Sequence, residues 1–247
     1  MSLRNLVHIE YLKLFRKSNL LFLFLAVYLF VTPIGRGYDE LKIAESLSVD
    51  DLFLAMVNSF SVMGLLLLAI FMVNNTGNDF NEGSYRKSLA IGLTRGDYLK
   101  GKLLLSGFLC LFVIISTLLL YFVFSIFFLK AGIIEVLQGI NFLSLLNQLI
   151  ALSGAAFFGL FIIMVFRNRT IGLVFFPFWF ITEFIVFLID RSGTQRLFSV
   201  YFPGISSYEL YTMQVFDVKS MAITLIYATI FLTAAWYGLT LREEKAS

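Results

Sequence analysis

Long apolar runs alternate with short polar segments along most of the chain. Six of these runs come close to the roughly 20 residues that an α-helix needs to cross a hydrocarbon core about 30 Å thick. They cover approximately residues 20–34, 52–73, 103–129, 142–166, 171–189 and 220–239. The pattern therefore predicts an all-α membrane protein with six transmembrane helices.

The N-terminal segment, residues 1–18, has a different pattern, in which apolar and charged residues are interleaved at helical spacing. Its apolar face is broad and is flanked by charged groups that include Glu10, Lys13 and Arg16. This predicts an interfacial helix on the membrane surface, with a solvated helical entry to the first span as the alternative. No small-residue cleavage site follows the first apolar run, so we expect no removable signal peptide.

The connection between the fifth and sixth spans, residues 190–219, is long and only partly polar. Residues 197–202 and 205–213 are apolar and aromatic, and the Pro203-Gly204 pair between them is typical of a turn. Irregular backbone at membrane depth must be covered by protein or water. We therefore expect two short re-entrant or surface helices here, whereas the connection over residues 130–141 is short.

Composition and charge fit a membrane protein and orient it. Of the 247 residues, 59% are hydrophobic and 14% charged, whereas charged residues make up about a quarter of a soluble domain. With the N-terminus inside, the inner segments carry 13 of the 19 basic residues, and the outer segments carry nine of the 16 acids. Short basic loops stay cytoplasmic. We therefore expect residues 1–247 to form one multi-pass domain of the cell membrane with both termini in the cytosol.

Several chemistries have no residues to support them. Cys110 is the single cysteine and His8 the single histidine, which excludes a disulfide framework and a cysteine or histidine metal cluster within one chain. The inner segments and spans hold no carboxylate pair or nucleophile–base arrangement typical of catalysis. We expect no enzymatic activity, no cofactor, no metal and no nucleic-acid partner on this chain.

A near match to a phosphate-binding loop lies at the entry to the third span, where Gly96 is followed after four residues by Gly101-Lys102. The next residue is Leu103, not the Ser or Thr that holds magnesium, and no buried strand precedes the motif. The segment is better interpreted as the entry to the third span, an entry that contains Gly96 and Gly101. ATP hydrolysis is not expected on this chain.

Two features of the spans leave alternatives open. Glu183 lies inside the fifth span, where a carboxylate costs a few kcal/mol. It is either a proton or cation relay, or, as we favour, a structural or substrate-pathway carboxyl, because no second acid, lysine or arginine lies within the spans. In the fourth span, Ala151, Ala155 and Gly159 recur at four-residue spacing and predict close helix packing, within the monomer or across a dimer.

The longest polar interruption on the inner side is residues 74–102. A short helix is predicted over 81–91, with Asp79 and Glu82 at its N-terminal end and Gly92 after it. We expect this helix to expose four side chains, namely Tyr85, Arg86, Lys87 and Leu89. Such a helix can dock into a partner, and the alternative is a basic loop against anionic lipid headgroups.

Residues 79–95, followed by Gly101-Lys102, resemble the ABC-2 type permease family. In that family the cytoplasmic loop after the second span has an acidic residue before Gly and Ser or Thr, then a basic residue, a short apolar helix, an Arg and a Gly-Lys. The charged N-terminal residues Glu10, Lys13 and Arg16 resemble its amphipathic approach to the first span. The chain departs from the family at Leu93 and Thr94, where a proline often stands.

The resemblance implies the transmembrane subunit of an ATP-driven exporter. A seam lined by apolar and aromatic side chains, drawn from the 29 phenylalanines, would suit an amphipathic or lipid-like substrate, although any lipid-facing surface needs the same residues. Two such subunits, identical or homologous, would pair and bind two copies of a separate ABC ATPase subunit that holds ATP and Mg. The resemblance implies coupling to the ATPase through Asp79, Glu82, Gly83, Tyr85, Arg86, Leu89 and Arg95. A proton-coupled transporter using Glu183 and a nontransporting component driven by an ATPase remain as alternatives.

Overall fold

The computed structural model describes residues 27–28, 31–35, 48–59, 61–191, 201–212 and 218–240. Within these ranges about 90% of the residues are helical and none forms a strand. The labelled helices are α1 (Val49–Ser59), α2 (Ser61–Asn81), α3 (Ser84–Ala90), α4 (Arg95–Phe127), α5 (Ile133–Gln138), α6 (Phe142–Phe166), α7 (Arg169–Arg191), α8 (Pro203–Thr212) and α9 (Val218–Thr240).

Five helical segments in the described ranges are long and apolar enough to cross a membrane. They are α1 with α2, α4, α6, most of α7, and α9. These five correspond to the second to sixth spans predicted above. The first predicted span, 20–34, lies mostly outside the described residues, and the predicted interfacial helix 1–18 lies entirely outside them.

Helix α6 is the central helix of the bundle and packs against α2, α4, α7, α8 and α9. Its small residues allow close approach, because a Cβ added at Gly159 would lie 2.5 Å from the carbonyl oxygen of Ala69 on α2. Ala151 is fully buried, and Ala155 packs against the core. The small-residue stripe of α6 is therefore used at Gly159 for packing within the chain.

A two-residue turn joins α6 to α7. Arg167 ends α6 in the left-handed region with φ 50°. The side chain of Asn168 then accepts hydrogen bonds from the backbone N–H groups of Thr170 and Ile171, at 2.9 and 3.2 Å. Asparagine satisfies the free N–H groups of the first helical turn in this way, which explains why α7 begins immediately.

Two short helices occupy the predicted connections at the other end of the bundle. The expected turn at Pro203-Gly204 is wrong, because Pro203 is the first residue of α8, a position that suits its fixed φ and missing N–H. Helix α8 packs against α6, α9, α2 and α7. Its Tyr211 is fully buried, and this burial raises the pKa of the phenol. Helix α5 lies in the short connection 130–141, where no helix was predicted.

Candidate functional site

The polar stretch 74–102 is mostly helix, with more helix than the predicted segment 81–91. Helix α2 continues to Asn81 and α4 begins at Arg95, so the connection outside these two helices is only residues 82–94. The polar residues at the end of α2 are buried rather than solvated, and they are Asn74, Asn75, Thr76 and Asp79. A helix can carry such residues only when partners compensate their burial.

For Asn75 and Asp79 the partners are on α4. The Nζ atom of Lys102 lies 2.7 Å from Oδ2 of Asp79 and donates to Oδ1 of Asn75 at 2.9 Å. The hydroxyl of Tyr98 donates to the same Asp79 carboxylate at 3.1 Å. Lys102 is completely buried, so both charges have left solvent and depend on each other. We call these four residues, Asn75, Asp79, Tyr98 and Lys102, the Asp79–Lys102 junction.

Helix α3 is attached to this junction through an aromatic cluster. The Tyr85 ring lies 4.8 Å from the Tyr98 ring and 5.0 Å from the Phe80 ring, between centroids. Tyr85 is only 3% exposed, so the expectation that α3 exposes it is wrong. Leu89, one turn later, also packs against the core. Tyr85 and Leu89 thus form the inner face of α3.

Glycines set the bounds of α3, which is shorter than the predicted 81–91. Gly83 precedes the helix in the left-handed region with φ 69°, and Gly92 follows it with φ 96°. The predicted end at Gly92 is confirmed, since glycine adopts this conformation without strain. The predicted start is wrong, because Asp79 belongs to α2 and Glu82 lies before Gly83.

The outer face of the segment is exposed and carries two cations and an apolar tip. We call it the α3 ridge, and its exposed residues are Glu82, Arg86, Lys87, Ala90 and Ile91. Ile91 is 85% exposed. Among the described residues, neither Arg86 nor Lys87 forms an ion pair. The ridge therefore offers positive charge beside an apolar side chain, a combination that complements an acidic rim around an apolar pocket.

The start of α4 does not have the geometry of a phosphate-binding loop. The Thr94 hydroxyl oxygen accepts from the backbone N–H of Asp97 at 3.1 Å and caps the helix. Gly96 and Gly101 both lie inside α4. Lys102, which would bind phosphate in such a loop, is held by Asp79 and Asn75 instead.

Two arginines join this end of the bundle to the last helix, α9. Arg95 donates from Nη1 to the carbonyl oxygen of Thr240 at 3.1 Å. Arg167 donates from Nη2 to the carbonyl oxygens of Gly238 and Leu239 at 2.7 and 3.2 Å. These carbonyl oxygens lie in the last described turn of α9, and a cation beside the carbonyls at the C-terminal end of a helix is favourable. Arg95, predicted to contact an ATPase, thus has a contact within the chain.

Sequence reasoning placed Asp79 in the site but not its partners Asn75, Tyr98 and Lys102. A signal was present in the sequence. Asn75 and Asp79 are four residues apart, as are Tyr98 and Lys102. Residues four apart share one face of a helix, so the two pairs predict facing polar patches once both segments are taken as helices.

Glu183 lies apart from the junction, between α7 and α8. It is 2% exposed, and Nε1 of Trp179, one turn earlier on α7, donates to its Oε1 atom. The backbone N–H groups of Gly204 and Ile205, in the first turn of α8, also interact favourably with the carboxylate. Its Oε2 atom nevertheless has no donor at full hydrogen-bond geometry among the described residues.

The five long apolar helices and the buried polar contacts between them define a multi-pass helical membrane protein. Comparison with known proteins adds no family to this class: no protein-family model, curated protein or solved structure matches the chain. The resemblance to ABC-2 type permeases is accordingly a hypothesis carried by residues 79–102.

Proposed function

We propose that the chain is the transmembrane permease subunit of an ATP-driven exporter of the ABC-2 type. One observation supports this more than any other: a short helix with an exposed basic and apolar ridge is attached, through Tyr85, to a buried ion pair between two membrane-length helices. When a bound partner displaces such a helix, the displacement can be transmitted to both spans as a rigid-body motion.

In this proposal the ridge end of the bundle faces the cytosol of the cell membrane, as the excess of basic residues on that side predicts. Two copies of a separate ATPase subunit, carrying ATP and Mg, bind the ridges of two permease subunits, identical or homologous. Arg86 and Lys87 meet acidic residues of the ATPase, and Ile91 enters an apolar pocket. The substrate is amphipathic or lipid-like.

The contacts around the ridge suggest the path of the motion. The Tyr85 ring packs against the rings of Tyr98 on α4 and Phe80 on α2, and these two rings also contact each other. Arg95 connects the start of α4 to the end of α9. A displacement of α3 is therefore delivered to three of the five long helical segments, because packed interfaces move as units rather than deforming continuously.

Cysteine cross-linking tests the proposal. Cys110 is buried, so a cysteine introduced in place of Lys87 is the reactive one among the described positions. Lys130→Cys, at the opposite end of α4, is the matched control. We expect residue 87 to be labelled only from the cytosolic side, and to cross-link to a protein whose ATP hydrolysis responds to the permease in proteoliposomes. Labelling of residue 87 from outside, or a cross-linked partner without ATPase activity, would contradict the proposal.

A proton-coupled transporter is the second candidate, and the buried Glu183 carboxylate is the observation that favours it. A relay needs a neighbouring ionisable group. The Asp79–Lys102 junction lies near Arg169, at the start of α7, since Gly77 contacts that residue. Glu183 is 14 positions further along α7, or about 21 Å at 1.5 Å per residue. This separation is too large for direct proton transfer between Glu183 and the junction, and we favour ATP-driven export.

A further inference from the structure

A narrow crevice opens beside Glu183 between α2, α6, α7, α8 and α9. Aromatic side chains form one part of its wall, and the Phe158 ring is among them. The Phe158 centroid lies 4.8 Å from that of Phe231, 5.4 Å from that of Phe176 and 5.9 Å from that of Trp179. The electron-rich faces of such rings attract cations, and most strongly where water is excluded.

Two acceptor atoms that have no donor at full hydrogen-bond geometry among the described residues belong to side chains that line this crevice. They are Oε2 of Glu183 and Oγ1 of Thr224. Glu183 is 2% exposed and Thr224 is 1% exposed, so water does not satisfy them from the surface. A buried carboxylate oxygen and a buried hydroxyl that lack well-aligned donors carry part of a desolvation cost. A donor entering the crevice removes that cost.

The size of the crevice restricts which donor fits. Its volume of about 30 Å³ holds about two water-sized groups. A primary ammonium group fits this space and brings three N–H donors and a positive charge. A trimethylammonium group has three methyls in place of those donors and is too large. The aromatic walls suit an alkyl chain attached to the ammonium.

We propose that the Glu183 crevice binds the primary ammonium group of an alkylamine or amine-bearing lipid, through the Glu183 carboxylate and the Thr224 hydroxyl. An alkylamine is protonated at neutral pH, as lysine is. Its binding requires no ATPase and is measured on this chain alone. Its role as exported cargo rests on the function proposed above, so the two proposals fail in different experiments.

The fluorescence of Trp179 provides the test. Trp179 and Trp236 are the two tryptophans of the chain, so the Trp236→Phe variant leaves a single reporter beside Glu183. The protein is reconstituted in nanodiscs of phosphatidylcholine and phosphatidylglycerol and titrated with dodecylammonium. We expect a saturable change in emission that dodecanol and dodecyltrimethylammonium do not reproduce. A response shared by all three amphiphiles would overturn the proposal.

Two variants separate the site from general membrane partitioning. Glu183→Gln should weaken the apparent affinity for dodecylammonium at least tenfold, and Thr224→Val should weaken it several-fold while keeping the side-chain shape. The second variant keeps the test decisive if the first fails to fold. Unchanged affinity in Thr224→Val, or in a folded Glu183→Gln, would refute the site. Within a confirmed site, competition by added phosphatidylethanolamine identifies a lipid headgroup as the source of the amine, and its absence identifies a free amphiphile.

Discussion

The Nζ atom of Lys102 lies 2.7 Å from Oδ2 of Asp79, with the lysine fully buried between α2 and α4. Each charge is stabilised by the other, by Asn75 and by Tyr98. Because the desolvation of both charges is large, the geometry of the pair fixes how α2 and α4 meet. The ion pair thus sets the position of the surface to which α3 is attached.

Lys102→Met should destabilise the protein strongly, because it leaves the Asp79 carboxylate buried without its counter-charge. Loss of one partner of a buried pair costs about 3–5 kcal/mol. The double variant Asp79→Asn, Lys102→Met should recover at least half of this loss, since no charge remains buried. Chemical unfolding in detergent measures both effects.

Lys100→Met is the control for this substitution. The Lys100 side chain is 68% exposed and lies 4.0 Å from Asp97, so its loss should change stability by less than about 1 kcal/mol. If Lys102→Met were as stable as Lys100→Met, the Asp79–Lys102 junction would have no structural role.

Tyr85→Ala should release α3 from the bundle without abolishing the fold. Truncating a buried aromatic side chain costs about 3 kcal/mol. Here the loss falls on a seven-residue helix whose inner face is formed by Tyr85 and Leu89. We expect faster hydrogen exchange over residues 84–90. Tyr85→Phe keeps the ring contacts with Phe80 and Tyr98 and should exchange at the native rate.

The functional effect of Tyr85→Ala distinguishes the attachment of α3 to the bundle from the docking of the ATPase on the α3 ridge. If α3 transmits motion, the variant should still bind the ATPase through the ridge but should lose most of the ATP-dependent transport measured in proteoliposomes. If a Tyr85→Ala protein showed fast hydrogen exchange in α3 but full transport, this would contradict the proposed transmission of motion through Tyr85.

The sequence predicted the long helices well because each of the five runs carries an uninterrupted apolar signal about as long as a bilayer is thick. It failed where polar residues are buried. Asn75, Asp79 and Lys102 fall in the polar interruption between two predicted spans, and local composition does not reveal a partner on another helix. Tyr85 was expected to be exposed because a seven-residue helix is too short for its apolar face to show a clear period.

Ile91→Ser should weaken binding of the ATPase while leaving stability unchanged. Ile91 is 85% exposed, so it contributes little to the fold, yet an exposed isoleucine at the tip of a ridge is suited to fill a partner's apolar pocket. We expect Kd to rise about tenfold, or about 1.4 kcal/mol. Ile134→Ser on α5 is the control, because Ile134 is 74% exposed and lies at the opposite end of α4 from the ridge. Equal effects of the two variants would contradict docking at the ridge.

Removing the ridge cations should weaken the same complex in a salt-dependent way. The double variant Arg86→Gln, Lys87→Gln removes two charges that are exposed and form no ion pair within the described part of the chain. At about 0.2–1 kcal/mol each, their loss should raise Kd roughly two- to thirtyfold at low salt and less at high salt. Lys130→Gln removes a charge at the opposite end of α4 and should leave Kd unchanged. An effect of the double variant that is equal at all salt concentrations would argue against electrostatic docking.

Gly159→Ala should destabilise the bundle, because the added Cβ would lie 2.5 Å from the carbonyl oxygen of Ala69 and 3.1 Å from its Cα atom. These are backbone atoms, so relief requires α2 and α6 to separate rather than a side chain to rotate. Overpacking of this kind typically costs about 1–3 kcal/mol. Gly107→Ala on α4 is the matched control, since nothing lies within 4 Å of the Cβ position there and alanine favours a helix over glycine by up to about 1 kcal/mol. Thermal unfolding in detergent should therefore move in opposite directions for the two variants. A Gly159→Ala protein as stable as Gly107→Ala would mean that α2 and α6 do not touch at Ala69, and the stripe of small residues on α6 would then be available for a second subunit.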